Sequence, residues 1–198
     1  LVSKIHREVE NYKKKELNII LIGHSGHPEV IGTMGQISSK IYLVENTNDV
    51  VSLNINKNDK IAYVTQTTLS VDDTKSIIKA IKKKYPNVIE PKKDDICYAT
   101  TNRQEAVKKI ASYCDLFVVI GAKNSSNSIR LVEVAKQYGA KKSMLANKIE
   151  EFDIEHLKKI KSVGLTASAS APEILVQNFT RFLDENFNVI LHKTNYIK

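Results

Sequence analysis

LNIILIGHSGHPEV, residues 17–30, carries an apolar run into a cluster of small polar residues and out again into a helix-like pattern. The same succession returns in KIAYVTQTTLS (60–70), LFVVIGAKNSSNSIR (116–130) and SVGLTASASAPE (162–173). Short apolar runs bounded by Gly or Ser read as buried parallel strands. In an open α/β sheet the ligand sits in the crevice at the carboxyl ends of such strands. Helix N-termini there offer unpaired N–H groups and the positive end of the dipole, so the expected ligand is an anion. Four such ends, rich in Ser, Thr, Asn and His, are expected to build one composite pocket for a phosphate-bearing molecule.

Working outward, helices are predicted at 1–13, 28–37, near 48–52, and at 70–84, 101–113, 127–138, 153–160 and 171–185. Strands are predicted at 17–22, 41–44, 61–65, near 88, and at 116–121, 143–146, 162–166 and 188–191. Amphipathic spacing supports the helices, with Val2, Ile5, Val9 and Tyr12 on the first and Ile174, Leu175, Phe179 and Phe182 on the last. Strands alternating with helices over short connections imply parallel sheets. The cluster EPKKDD (90–95) marks the expected boundary. The predicted fold is therefore α/β, two packed units of about four strands each with mostly parallel sheets, spanning 1–92 and 93–198.

The 198 residues are 42% apolar and 26% charged, as in an ordinary globular protein. No apolar stretch nears the roughly 18 residues of a membrane span, so no membrane partner is expected. The net charge of +8 comes mostly from lysine, since only Arg7, Arg103, Arg130 and Arg181 are arginines. Nucleic-acid readers lean on the bidentate arginine fork; scattered lysines suggest a solvated surface that attracts small anions. Nucleic acid is accordingly not an expected partner. Two cysteines, Cys97 and Cys114, are too few for a disulfide scaffold and suit a reducing compartment.

Each motif has a structural and a functional reading. His27-Pro28-Glu29 opens a helix, with Pro28 in the first turn and Glu29 where the dipole favours a carboxylate. Thr67 and Thr68 lie between a strand and Ser70, whose own place fits a capping box. Asn124 to Ser128 holds five hydroxyl or amide residues where a single cap needs one. Ser170-Ala171-Pro172-Glu173 reads as a second capping box. Cys97 precedes a helix opening, a position that suits a nucleophile or a metal ligand, whereas Cys114 at a helix end reads as packing.

Taken in order, HSGHPEVIGTMGQ (24–36), TQTTLSVDDT (65–74), DDICYATTNRQ (94–104), GAKNSSNSIRL (121–131) and GLTASASAPEILVQN (164–178) resemble the LytB/IspH family, from residue 1 to about 185. Members of that family are iron–sulfur reductases of hydroxymethylbutenyl diphosphate in the non-mevalonate isoprenoid pathway. The resemblance implies three α/β domains around a [4Fe–4S] cluster held by three cysteines. Carried across motif by motif, it implies Cys97 as one cluster ligand and His27, Ser125, Ser126, Asn127 and Ser170 as diphosphate binders. It implies Glu29 as proton donor, with Thr67 and Thr68 beside it.

The implied chemistry is a two-electron reductive loss of a hydroxyl, giving isopentenyl and dimethylallyl diphosphates. Electrons would come from a ferredoxin or flavodoxin, in a bacterial cytoplasm or a plastid stroma. The chain matches the family's second and third domains. The first domain, with one cluster cysteine and two substrate-side histidines, is expected to be absent from it, and the chain to start just after the position of another cluster cysteine. The expectation is thus part of a longer reductase, inactive alone. Two readings of other classes stand beside it: a non-enzymatic diphosphate- or nucleotide-binding module, and a hydrolase with Cys97 as nucleophile and His27 as its base.

Overall fold

The computed structural model describes residues 1–37 and 41–193. The chain divides into two compact units, Leu1–Cys97 and Tyr98–Lys198. The first contains α1 (Val2–Lys14), β1 (Asn18–Ile22), α2 (Pro28–Gly35), β2 (Ile41–Val44), α3 (Thr47–Ser52), β3 (Ile61–Thr65) and α4 (Val71–Lys84). Its sheet runs β2-β1-β3, all parallel, with Ile20 level with Tyr42 and Tyr63.

All five residues of β1 are buried, which is why the sequence shows a continuous apolar run and no alternation. Ile20 and Ile22 point into a core with Val44, Ile77, Ile81 and Tyr85; Ile19 and Leu21 point into the opposite one, with Ile5, Val9 and Val30. Each such burial stabilises by about 1.5–3 kcal/mol relative to exposure. Lys84 closes the α3 end of the unit. Its ammonium donates to the carbonyls of Val50, Val51 and Leu53 at 3.0, 2.7 and 2.6 Å, groups that a helix C-terminus leaves without internal donors.

The second unit contains α5 (Tyr98–Ile110), a 3-10 turn at Ala111–Tyr113, β4 (Leu116–Ile120), α6 (Ser126–Gln137) and β5 (Lys142–Ala146). A 3-10 turn at Ile149–Glu151, α7 (Ile154–Leu157), β6 (Val163–Ala167) and α8 (Glu173–Asn186) complete it. Its parallel sheet runs β5-β4-β6. As in the first unit, the first strand is central and its two successors flank it. Phe117 and Val119 face Leu131 and Val134, while Leu116, Val118 and Ile120 face Phe179. The parallel α/β architecture is that expected from the alternating pattern.

Several elements differ from expectation. Each described sheet has three strands, not four. The strand expected near 88 shrinks to one bridge between Ala62 and Ile89. From there the chain follows the outer edge of β3 without forming a ladder. Ile89 N–H donates to Ile61 O at 2.8 Å and Tyr63 N–H to Ile89 O at 3.2 Å. Thr65 N–H then donates to the Asp95 carboxylate at 2.9 Å, and Cys97 N–H to Thr67 O at 3.1 Å. These bonds keep residues 93–97 in the first unit, so the division follows Cys97 and not residue 92.

The segment 188–191 is not a strand, and Val189, Ile190 and Leu191 are exposed. A β-prone run needs a partner strand for its backbone bonds, and local propensity does not replace one. Helix α5 opens at Tyr98, three residues before position 101, and α7 keeps only four residues of the helix expected at 153–160.

Candidate functional site

At the carboxyl end of the first sheet, the loop after β1 enters α2 through His27. Gly26 has φ +76°, a conformation that glycine adopts without strain. His27 is the cap: its Nδ1 accepts from Glu29 N–H at 3.1 Å, and Pro28 follows as the first helical residue. The proline cannot donate there in any case. Glu29 then projects from the first turn toward the loop after β3. Its Oε1 accepts from Thr67 N–H at 2.8 Å and its Oε2 from Thr67 Oγ1 at 3.0 Å.

Thr67 is buried, and its carbonyl takes the Cys97 N–H. Glu29, Thr67 and Cys97 thus form one hydrogen-bonded run of carboxylate, threonine and cysteine. Cys97 is half-buried. Thr68 is held differently, with its Oγ1 accepting from Gln66 Nε2 at 3.0 Å. Gln66 is 1% exposed, and its Oε1 accepts from His24 N–H at 3.0 Å, so one amide ties the two loops together. Ser70 is structural, as expected, accepting from Asp73 N–H at the start of α4.

In the second unit the strand order reverses between β4 and β6, and the loops after these strands open there. Ser125 caps α6, accepting from Ser128 N–H at 3.3 Å. Ser126 follows in the first turn, half-buried. Asn127 and Ser128 are buried, yet neither Asn127 Oδ1 nor Ser128 Oγ has a hydrogen-bond partner among the described residues. Most buried polar atoms have one, so this pair marks a place that water or a ligand would satisfy. Gly121 ends β4 where space is short: a Cβ there would lie 2.2 Å from Ser128 Oγ and 3.0 Å from Ser168 Oγ. Ser168 Oγ lies 3.5 Å from that of Ser170.

Ser170 departs from its expected capping role. Helix α8 begins at Glu173 with Pro172 as the residue before it, and no side chain caps it. With the helix start at Glu173, Ser170 lies outside the helix and is exposed. Arg103, absent from the sequence candidates, donates to Ala167 O at 2.9 Å and fixes the end of β6. Gln66 and Ser168 were likewise missed as organising residues. Their only sequence signal is position within TQTT and TASAS. A separate cleft of about 480 Å³, lined by Asn147, Lys148, Asn178 and Phe179 among others, includes none of the candidate residues.

Burial raises the Glu8 carboxyl above its ordinary value, the nearby Asp95 charge adds to this, and Lys4 opposes it. Burial likewise pushes up the Cys114 thiol, with the Asp115 charge as the second cause. Cys114 is buried and donates to Ile110 O at 3.2 Å, a packing role as expected. Among the described residues no three His, Cys, Asp or Glu side chains gather where they could hold a metal ion. Of the two thiols Cys114 is buried and Cys97 is half-buried, so the described residues do not by themselves make up the ligand set of a cluster. No described helix is long and apolar enough to cross a membrane.

A family model described as LytB protein matches residues 1–184. A 4-hydroxy-3-methylbut-2-enyl diphosphate reductase from Actinobacillus succinogenes is 50% identical over 188 residues, covering 93% of this chain and 60% of that protein. One of the same description from Methylocella silvestris is 47% identical over 190 residues, 96% of this chain and 60% of that protein. Among solved structures, the E-1-hydroxy-2-methyl-but-2-enyl-4-diphosphate reductase from Plasmodium falciparum superposes with a TM-score of 0.87 at 42% identity. That match covers 92% of this chain and 57% of the other. The chain thus spans about 60% of the length of the curated relatives it matches.

Proposed function

The chain belongs to the LytB family, and on that premise we propose that it forms the substrate-binding and proton-donating part of a 4-hydroxy-3-methylbut-2-enyl diphosphate reductase. The overall change adds two electrons and two protons to the allylic alcohol. The C–O bond breaks, the hydroxyl leaves as water, and isopentenyl or dimethylallyl diphosphate remains. In this proposal Ser125, Ser126, Asn127, Ser170 and His27 bind the diphosphate. Hydroxyl and amide groups near the α6 N-terminus suit an anion, since donors and dipole act together. Thr68, oriented by Gln66, contacts substrate beside Thr67.

Glu29 is the proton donor and Thr67 the relay. The single observation that carries this reading is the pair of bonds from Thr67 N–H and Oγ1 to the Glu29 carboxylate, at 2.8 and 3.0 Å. Two donors fix the direction of the Glu29 carboxyl group; when Oε2 carries the proton to be delivered, that O–H donates to Thr67 Oγ1 and the threonine passes its own proton outward. Cys97 is proposed as one ligand of a [4Fe–4S] cluster, which when bound supplies electrons received from a ferredoxin or flavodoxin. Because the thiols of this chain do not complete such a site, the remaining ligands belong to a longer protein. The compartment proposed is a bacterial cytoplasm or plastid stroma.

Glu29→Gln in the complete reductase tests the reading. The amide keeps the shape but cannot give up a proton in the same way, so turnover should fall about 10²–10⁴-fold. Substrate affinity should change far less. Near-normal turnover, with the cluster assembled, would remove Glu29 from the mechanism.

A further inference from the structure

We infer that Lys4 and Asp95 form a latch that fixes Cys97 beside Thr67, a positioning role that rests on the proposed reading of Cys97 as a cluster ligand. Among the described residues Asp95 is the only acidic residue in the buried class, at 2% exposure, and its side chain is fully covered. A buried carboxylate is costly unless it is paired and hydrogen-bonded, and this one is both. Oδ1 accepts from Lys4 Nζ at 2.7 Å, and Oδ2 accepts from the buried N–H of Thr65 at 2.9 Å.

The lysine grips the same segment twice, since its ammonium also donates to Lys93 O at 2.7 Å. It does so from a helix that is itself anchored, because Ile5 and Val9 of α1 lie in the core. Only Ile96 separates Asp95 from Cys97, and Ile96 packs against the other core of the unit. The thiol-bearing residue is thus held upstream by the ion pair and at its own N–H by Thr67 O, 3.1 Å away. Asp95 and Cys97 hold to Thr65 and Thr67 in step, so movement at Asp95 transmits to the residue that also orients Glu29. Lys4 and Asp95 touch neither Glu29 nor Thr67 Oγ1. They act through the backbone that carries the thiol.

Iodoacetamide labelling of the 1–198 chain, read separately at each cysteine by peptide mass spectrometry, tests the latch. Lys4→Met should raise the Cys97 rate by about tenfold, the change that about 1.4 kcal/mol of lost local protection gives, while buried Cys114 stays slow. Lys4→Arg, which keeps the charge and donors, should return the rate close to that of the parent. Asp95→Asn should act like Lys4→Met, since it keeps an acceptor for Thr65 N–H but removes the ion pair. An unchanged Cys97 rate in both variants, with the parent's circular dichroism, would overturn the latch. Equal acceleration at Cys97 and Cys114 would overturn it too, because the pair would then serve only global stability. Cys97→Ala in the complete reductase reads the ligand assignment on its own: a cluster that survives it removes that assignment, and the labelling rates still decide the latch.

Discussion

Thr67 uses its N–H, its hydroxyl and its carbonyl on two neighbours, Glu29 and Cys97. That economy explains why the first unit's candidates lie together although 68 positions separate Glu29 from Cys97 in the chain. That Thr67 lies beside Glu29 was implied by the family resemblance, whereas the residue pattern alone gave two strand ends and a helix start at His27-Pro28. Gln66 was not legible, because a buried amide between threonines has no pattern of its own until its two partners are brought to it. The capping half of the Ser170 reading fails because α8 starts at Glu173, a boundary that a four-residue match does not fix. In the second unit, the donors around Ser125 and Asn127 should each contribute about 1.5–3 kcal/mol to a charged phosphate. Ser125→Ala or Asn127→Ala in the complete reductase should therefore weaken substrate binding about 10- to 150-fold. Calorimetric titration with substrate measures this, and an unchanged dissociation constant in both variants would exclude these side chains from the site.

At the level of elements, Asp115 gathers the entrances of the second sheet. Its carboxylate accepts from Lys141 Nζ at 2.6 Å and from the N–H groups of Lys161 and Ser162 at 3.0 and 3.2 Å. It thereby joins the starts of β4, β5 and β6. The Lys141 bond first, and the Lys161 N–H next, hold its pKa below the ordinary 3.8. A carboxyl lowered on folding contributes stability above its unfolded pKa and loses it as pH falls through the folded one. Asp115→Asn should thus lower the thermal midpoint near neutral pH, and the two proteins should converge in acid below 3.8. Melting curves across that range check it, and parallel profiles would contradict it. The strands themselves were readable as apolar runs. The segment 188–191 was not, since the same kind of run becomes a strand only where an edge receives it.

For the molecule as a whole, two units of one topology arise from halves that share no visible sequence repeat, because buried strands and capped helices admit many residues. Reading the pattern gave the layers; the boundary at Cys97 depended on bonds that Asp95 and Cys97 make across 30 positions. A cubane cluster of the kind proposed needs about three protein thiolates; the chain has two cysteines, and Cys114 is buried in packing. Anaerobic reconstitution of the 1–198 chain should therefore give well under one cluster per chain after desalting. Iron counting and a visible spectrum measure this, and a stoichiometric cluster would refute it.

The path of residues 89–97 along β3 has one more effect. An outer strand with vacant N–H and C=O groups is a template on which another chain can assemble, and proteins cover or charge such edges to prevent it. Here the covering is a loop whose fixed points are Ile89, Asp95 and Cys97. The segment that carries Cys97 is also what covers this edge, so a substitution among its nine residues that frees them from β3 should expose a template for other strands.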